Sequence, residues 1–233
     1  MQKFHVTPIT PKSEFLKLKG RNVLISYLRN ENYKQAVSLC QKIYIDNGAY
    51  TFFRKGLKPN RNSFYKWLEG KTYNHFFIPD VIDGSEIENN NLINLNDKLD
   101  LQRKGIPVFH LHESNKRLRD LIQRFDYIAL GSSGEFWELG TDKWFFRMNE
   151  LMKILCYEDG KPRVKIHMLR CLNPKIFTLF PFYSGDSSNL ARNHHIRGIE
   201  NILNELEKHN SPEKYQFKDI YVQLSILDYI KNL

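Results

Sequence analysis

The chain has 233 residues, of which 41% are hydrophobic and 26% charged, the balance of an ordinary globular protein. No apolar run approaches the roughly 20 residues of a membrane span, and the opening MQKFHVTPITPKSEF lacks a signal-peptide core. Three scattered cysteines, Cys40, Cys156 and Cys171, argue against a disulfide scaffold and predict a reducing, cytoplasmic setting; a net charge of +9 suits a polyanionic partner, nucleic acid first.

Short apolar runs recur along the chain. They predict strands at 3–9, 22–28, 42–48, 75–83, 106–113, 126–133, 164–170 and 180–187, and continuous apolar runs of this kind read as buried parallel strands. Helical periodicity falls between and after them. Residues 115–125 place Leu118, Leu121, Ile122 and Phe125 on one face, and 141–155 open on a capping Thr141. Residues 195–209 group Ile199, Ile202, Leu203 and Leu206, and a last helix is expected at 219–232. Seven or eight strands alternating with helices predict an α/β fold, a compact (β/α)8 barrel of the TIM type, as a single domain over 1–233 with helices 195–233 packed on it. An open doubly wound sheet is the rival, but no Gly-x-Gly-x-x-Gly follows the first strand.

Polar and small residues close five of these runs. Asp46, Asp83, His112, Glu135 and Asp186 would converge in a parallel barrel, where all strand C-terminal ends share a face. Each alone reads equally as a helix cap or a solvated turn residue; the five together predict a site. Paired carboxylates suit a glycosidic centre, one attacking the anomeric carbon and the other shuttling the leaving-group proton. A metal-dependent barrel hydrolase is a second reading, with His110, His112, His167 and Asp186 as ligands. A non-catalytic nucleic-acid-binding module is a third.

The ordered segments resemble the tRNA-guanine transglycosylases and their DNA-modifying relatives, over roughly residues 22–192. Asp46-Asn47-Gly48-Ala49-Tyr50 is similar to the family's Asp-Ser-Gly-Gly-aromatic segment, which implies Asp46 as general acid/base and Tyr50 as the ring that stacks on the base. Phe77-Ile78-Pro79-Asp80-Val81-Ile82-Asp83 resembles the strand whose final Asp reads the purine edge, here Asp83. His112 stands where the family carries a base-reading Gln. Gly131, Ser132 and Glu135 lie in a shortened form of the glycine-rich loop that contacts the base. Pro181-Phe182-Tyr183-Ser184-Gly185-Asp186-Ser187-Ser188 is similar to the strand bearing the nucleophilic Asp, more so in the DNA-modifying branch, and implies Asp186 in that role. Arg192 sits where the tRNA enzymes contact phosphate.

The tRNA enzymes follow this strand with a Cys-x-Cys-x2-Cys and a His that bind structural zinc. No cysteine follows Cys171 here, so the resemblance favours DNA over tRNA. It implies a 7-deazaguanine such as the 7-cyano form as the small-molecule partner, and neither a redox cofactor nor a catalytic metal. A base must leave the stack to reach such a pocket, and Tyr50, Phe52, Phe53 and Trp137 are aromatic residues near the site. The stretch 54–61 carries Arg54, Lys55, Lys58 and Arg61 and no acid, a candidate phosphate-tracking loop.

Overall fold

The structure is a computed structural model that describes residues 1–99 and 104–217; the helix expected at 219–232 lies outside the described residues. The first half runs β1 (Gln2–Val6), α1 (Lys12–Leu16), β2 (Asn22–Ser26), α2 (Tyr33–Leu39), β3 (Lys42–Asp46), α3 (Ala49–Lys55), α4 (Arg61–Leu68), β4 (His75–Phe77) and α5 (Glu86–Lys98). Then come β5 (Gly105–Ile106), β6 (Val108–His110), α6 (Asn115–Arg124), β7 (Tyr127–Gly131), a 3-10 turn (Gly134–Phe136) and α7 (Asp142–Leu155). The chain continues with β8 (Lys165–Met168), α8 (Pro174–Phe177), β9 (Ser184–Ser187), α9 (Asn189–Arg197) and α10 (Ile199–Glu207).

All strand pairings are parallel, and the nine segments follow the order β5-β4-β3-β2-β1-β9-β8-β7-β6. The two ends of that order are neighbours in sequence, separated by Pro107 alone. Proline has no N–H to give a ladder, so the strand breaks there, but the carbonyls continue on both sides. The Ile106 carbonyl accepts from Ile78 N at 2.9 Å on the β4 side, and the Pro107 carbonyl accepts from Ala129 N at 2.9 Å on the β7 side. The result is a nearly closed parallel α/β barrel.

The alternation of each strand divides two cores. Val23 and Ile25 of β2, Ile43 and Ile45 of β3, and Ile128 and Leu130 of β7 face outward against the helices. Phe4, Leu24, Tyr44, Phe77, Ile106, Val108, Tyr127 and Ala129 fill the interior. Outside, α7 buries Trp144, Phe145, Met148, Leu151, Met152 and Leu155 at helical spacing, and Thr141 caps it by accepting from Trp144 N at 3.3 Å.

Several expected boundaries move. The strand predicted at 75–83 ends at Phe77, and that at 106–113 ends at His110. The run 180–187 is a strand only from Ser184; Phe180 and Phe182 precede it in the outer core. The helix expected at 195–209 is two helices, divided at Gly198, whose φ is 75°. No helix of the described residues is long and apolar enough to cross a membrane.

Phe4 is fully buried at the centre of the interior layer, its ring 3.9 Å from that of Tyr44. Phe4→Ala is expected to cost about 3–5 kcal/mol, read as a lower urea midpoint at unchanged m-value.

Candidate active site

A cavity of about 500 Å³ opens at the C-terminal ends of the strands, lined among others by Asp46, Asp80, His110, Trp137, Arg170 and Asp186. Its floor is the apolar interior layer, represented by Leu24, Phe77 and Val108. Three carboxylates thus stand on an apolar base, and each is handled differently.

Asp186 ends the inward face of β9 and is buried. His167 Nε2 lies 3.0 Å from its Oδ1, and the Arg170 backbone N–H donates to the same oxygen at 3.2 Å. Both hydrogen bonds fall on Oδ1, leaving Oδ2 for the cavity. Arg170 adopts a left-handed backbone with φ of 60°, a strained state for a non-glycine residue that tends to persist at functional sites. The turn brings its N–H to Asp186 and its side chain across the cavity mouth. There its guanidinium donates to the Ser132 carbonyl at 2.9 Å and lies 4.2 Å from the Trp137 ring.

Asp80 is held from both sides. Asn47 Nδ2 donates to its Oδ1 at 2.7 Å, and His110 Nε2 lies 2.9 Å from its Oδ2. The turn after β6 is itself anchored, because Glu113 accepts from His110 N at 2.8 Å and is ion-paired with the buried Arg117.

Asp46 ends the inward face of β3. Burial pushes its carboxyl up to about 7, the neighbouring charges of Asp186 and Asp80 add to the rise, and the Gly48 N–H opposes it. Gly48 turns the chain with φ of 81°, and a Cβ there would lie 2.7 Å from Leu28 Cδ1. Glycine is thus favoured by conformation, and a side chain there would also have to displace the end of Leu28.

The structure brings together some of the predicted residues. Asp46, Asp186, Tyr50, Gly131, Ser132 and Arg192 all line the cavity. Tyr50 stacks on Trp137, ring centroids 5.9 Å apart and planes 20° from parallel. Gly131 leaves room for His110, whose Nδ1 would be 3.1 Å from an added Cβ. Ser132 turns its hydroxyl outward to accept from Trp144 Nε1 at 2.9 Å, leaving its backbone at the cavity wall.

Asp83, His112 and Glu135 do not line the cavity. With β4 ending at Phe77, Asp83 falls in an exposed turn, and Asp80 takes the inward place. His112 lies beyond the end of β6 and bonds Ser133 Oγ at 2.8 Å. Glu135 is exposed and ion-paired with Lys143. The alternative metal-ligand set is likewise divided: His110 pairs with Asp80, His112 with Ser133, and His167 with Asp186. Among the described residues no group of three or more His, Cys, Asp or Glu side chains is arranged to hold a metal ion.

Sequence reasoning passed over Asp80, Asn47 and Arg170, and weighed His167 only as a metal ligand. His167 carried a signal, since Ile166 and Met168 alternate with it as outward apolar residues. Arg170 carried none, because nothing local marks an arginine for a left-handed turn.

Arg54, Lys55 and Lys58 are exposed, on α3 and the loop after it. Arg61 opens α4 and lies 3.7 Å from Glu88. No protein-family model matches the chain, and no curated protein is detectably similar to it in sequence.

Asp46 contributes to the pH dependence of stability. A carboxyl raised from 3.8 to about 7 makes the folded state bind more protons than the unfolded state across that interval. The Asp46 contribution to stability therefore declines as pH rises from about 4 to about 7, while the buried His5, whose pKa is lowered to about 4, contributes in the opposite direction over much of that range. Asp46→Asn removes this decline, so its stability relative to the native protein rises across the window and levels off above it, measured by urea titration at successive pH values.

Proposed function

We propose that the protein is a nucleic-acid base transglycosylase that exchanges guanine for a 7-deazaguanine base through a covalent aspartyl intermediate. The observation that carries this reading is the unequal pair on one cavity. Asp186 keeps one oxygen bonded and one open, whereas the Asp46 carboxyl is pushed to about 7, so one offers an oxygen for attack and the other a proton near neutral pH. Counting β5 and β6 as one interrupted strand turns the nine segments into the eight of a (β/α)8 barrel of the TIM type, whose active sites lie at this rim.

In the first half-reaction, Asp186 Oδ2 attacks C1′ of the target nucleotide. The glycosidic bond breaks with its electron pair going to the purine, and Asp46 supplies the proton that lets guanine leave neutral. In the second, the incoming 7-deazaguanine returns a proton to Asp46. Its nitrogen attacks C1′, and Asp186 is released as the carboxylate. Asp80, already bonded to Asn47 and His110, offers a fixed polar wall for a purine edge. Tyr50 and Trp137 at the mouth, with the Arg170 guanidinium over them, form a stacking surface for a flipped base.

DNA is the favoured polymer, since the chain lacks the zinc-binding cysteines that the tRNA enzymes carry. Residues 49–68 contain five basic side chains and no acid, which supports backbone contact beside the cavity. The protein acts in the cytoplasm in this reading.

Incorporation of a labelled 7-deazaguanine, with duplex DNA and bulk tRNA offered in parallel, tests the proposal. Label in DNA is expected, with an enzyme–DNA adduct that Asp186→Ala abolishes. Asp46→Ala is expected to slow exchange roughly 10²–10⁴-fold. Full exchange by Asp186→Ala overturns the mechanism, and label in tRNA alone overturns the polymer assignment. A chelator-sensitive hydrolase activity would favour the metal reading, and DNA binding without exchange the binding-module reading.

The basic stretch has its own test. Replacing Arg54, Lys55 and Lys58 by Ala is expected to weaken DNA binding without regard to sequence. If all three meet phosphates, the slope of log affinity against log salt flattens by about 3; fluorescence anisotropy across a salt series reads it.

A further inference from the structure

A buried row of side chains continues inward from Asp186. His167 Nδ1 lies 2.6 Å from Ser184 Oγ, Tyr127 Oη is 2.5 Å from the same Ser184 oxygen, and Tyr44 Oη is 3.3 Å from Tyr127 Oη. His167 and Ser184 are fully buried, and the His167 ring lies 6.0 Å from that of Phe4 and 4.9 Å from that of Phe77. Hydroxyls and an imidazole here displace apolar side chains from the middle of a barrel interior, where polar groups are costly unless paired.

The row has one consistent polarity when Asp186 is a carboxylate. A carboxylate only accepts, so His167 Nε2 carries a proton and donates to Oδ1. With the ring neutral, Nδ1 accepts from the Ser184 hydroxyl. Ser184 Oγ then accepts from Tyr127, and Tyr127 from Tyr44. Every hydroxyl proton has a place. The reverse polarity needs a protonated Asp186 donating to Nε2, which would remove the nucleophile.

We infer that His167 is a positioning residue for the nucleophile. Ser184, backed by Tyr127 and Tyr44, complements the Nε2–H tautomer by donating to Nδ1 and fixes the orientation of the ring, so that Asp186 is held by one oxygen with the other free to attack. The inference rests on the transglycosylase reading for its consequence, but the tautomer itself does not. The same fixed-tautomer logic operates wherever a hydrogen-bond partner sets which imidazole nitrogen carries the proton.

The decisive measurement is the ¹⁵N spectrum of histidine-labelled native protein, with the His167 signals assigned by their loss in His167→Gln. The neutral Nε2–H pattern is expected at pH 7, and Ser184→Ala is expected to keep that tautomer while shifting the Nδ1 signal as its hydrogen bond is lost. A neutral Nδ1–H pattern, or an imidazolium, in the native protein overturns the inference whether or not base exchange is ever observed. Kinetics supply the second arm. Ser184→Ala is expected to lower kcat for exchange roughly tenfold, the loss of one buried hydrogen bond, at unchanged KM. His167→Leu should lose far more, and His167→Gln, whose amide can still donate to Asp186, should recover part of it. Native exchange activity with full kcat in both Ser184→Ala and His167→Leu would sink the positioning role and leave the transglycosylase reading standing. A native protein that neither exchanges bases nor forms an adduct would sink that reading, while the spectrum still decides the relay.

Discussion

Parallel closure is the constraint on which everything else here depends. A parallel strand can only be followed by its neighbour after a crossover, so every strand ends at the same rim. The ladder runs unbroken from β5 round to β6, and only Pro107 separates these two in the chain. Residues more than 100 positions apart in sequence, such as Asp46 and Asp186, face one cavity as a result.

The same closure creates an electrostatic problem. Three carboxylates share a small volume above an apolar floor, where repulsion and desolvation both oppose ionisation. Two of them have dedicated donors: the His167 ring and the Arg170 N–H on Asp186, the Asn47 amide and His110 on Asp80. The Asp46 carboxyl rises to about 7. Burial is the main cause of that rise, and the charges of Asp186 and Asp80 add to it.

The supporting layer behind the cavity is as specific as its lining. Asn47 bridges the turn after β3 to Asp80 and to the Ile78 carbonyl at 2.9 Å. Arg170 ties Asp186 to the Ser132 backbone and covers Trp137 and Tyr50. Glu113 and Arg117 hold the turn after β6 from the outer layer. The polar groups that shape the site are therefore partly rooted outside the barrel.

Much of the fold was legible in the residues themselves. Apolar runs separated by helical periodicity are local signals, and they place β2, β3, β7, β8, α6 and α7 close to where they lie. A glycine or a polar pair at a strand end is local too, and it points to Asp46, Gly131, Ser132 and Asp186, which line the cavity, whereas Tyr50 and Arg192 follow only from the family resemblance. Strand ends were less legible, because alternation continues through a turn without marking where pairing stops. Asp83 was chosen over Asp80 for that reason, and His112 was placed on a strand that ends at His110. By its own composition and order the sequence determined a basic α/β chain with carboxylates at successive strand ends. Only the tertiary structure decided which of them face inward, which donors each receives, and that an arginine would take a left-handed turn to reach Asp186. Those outcomes depend on contacts between residues far apart in the chain, and no local propensity encodes them.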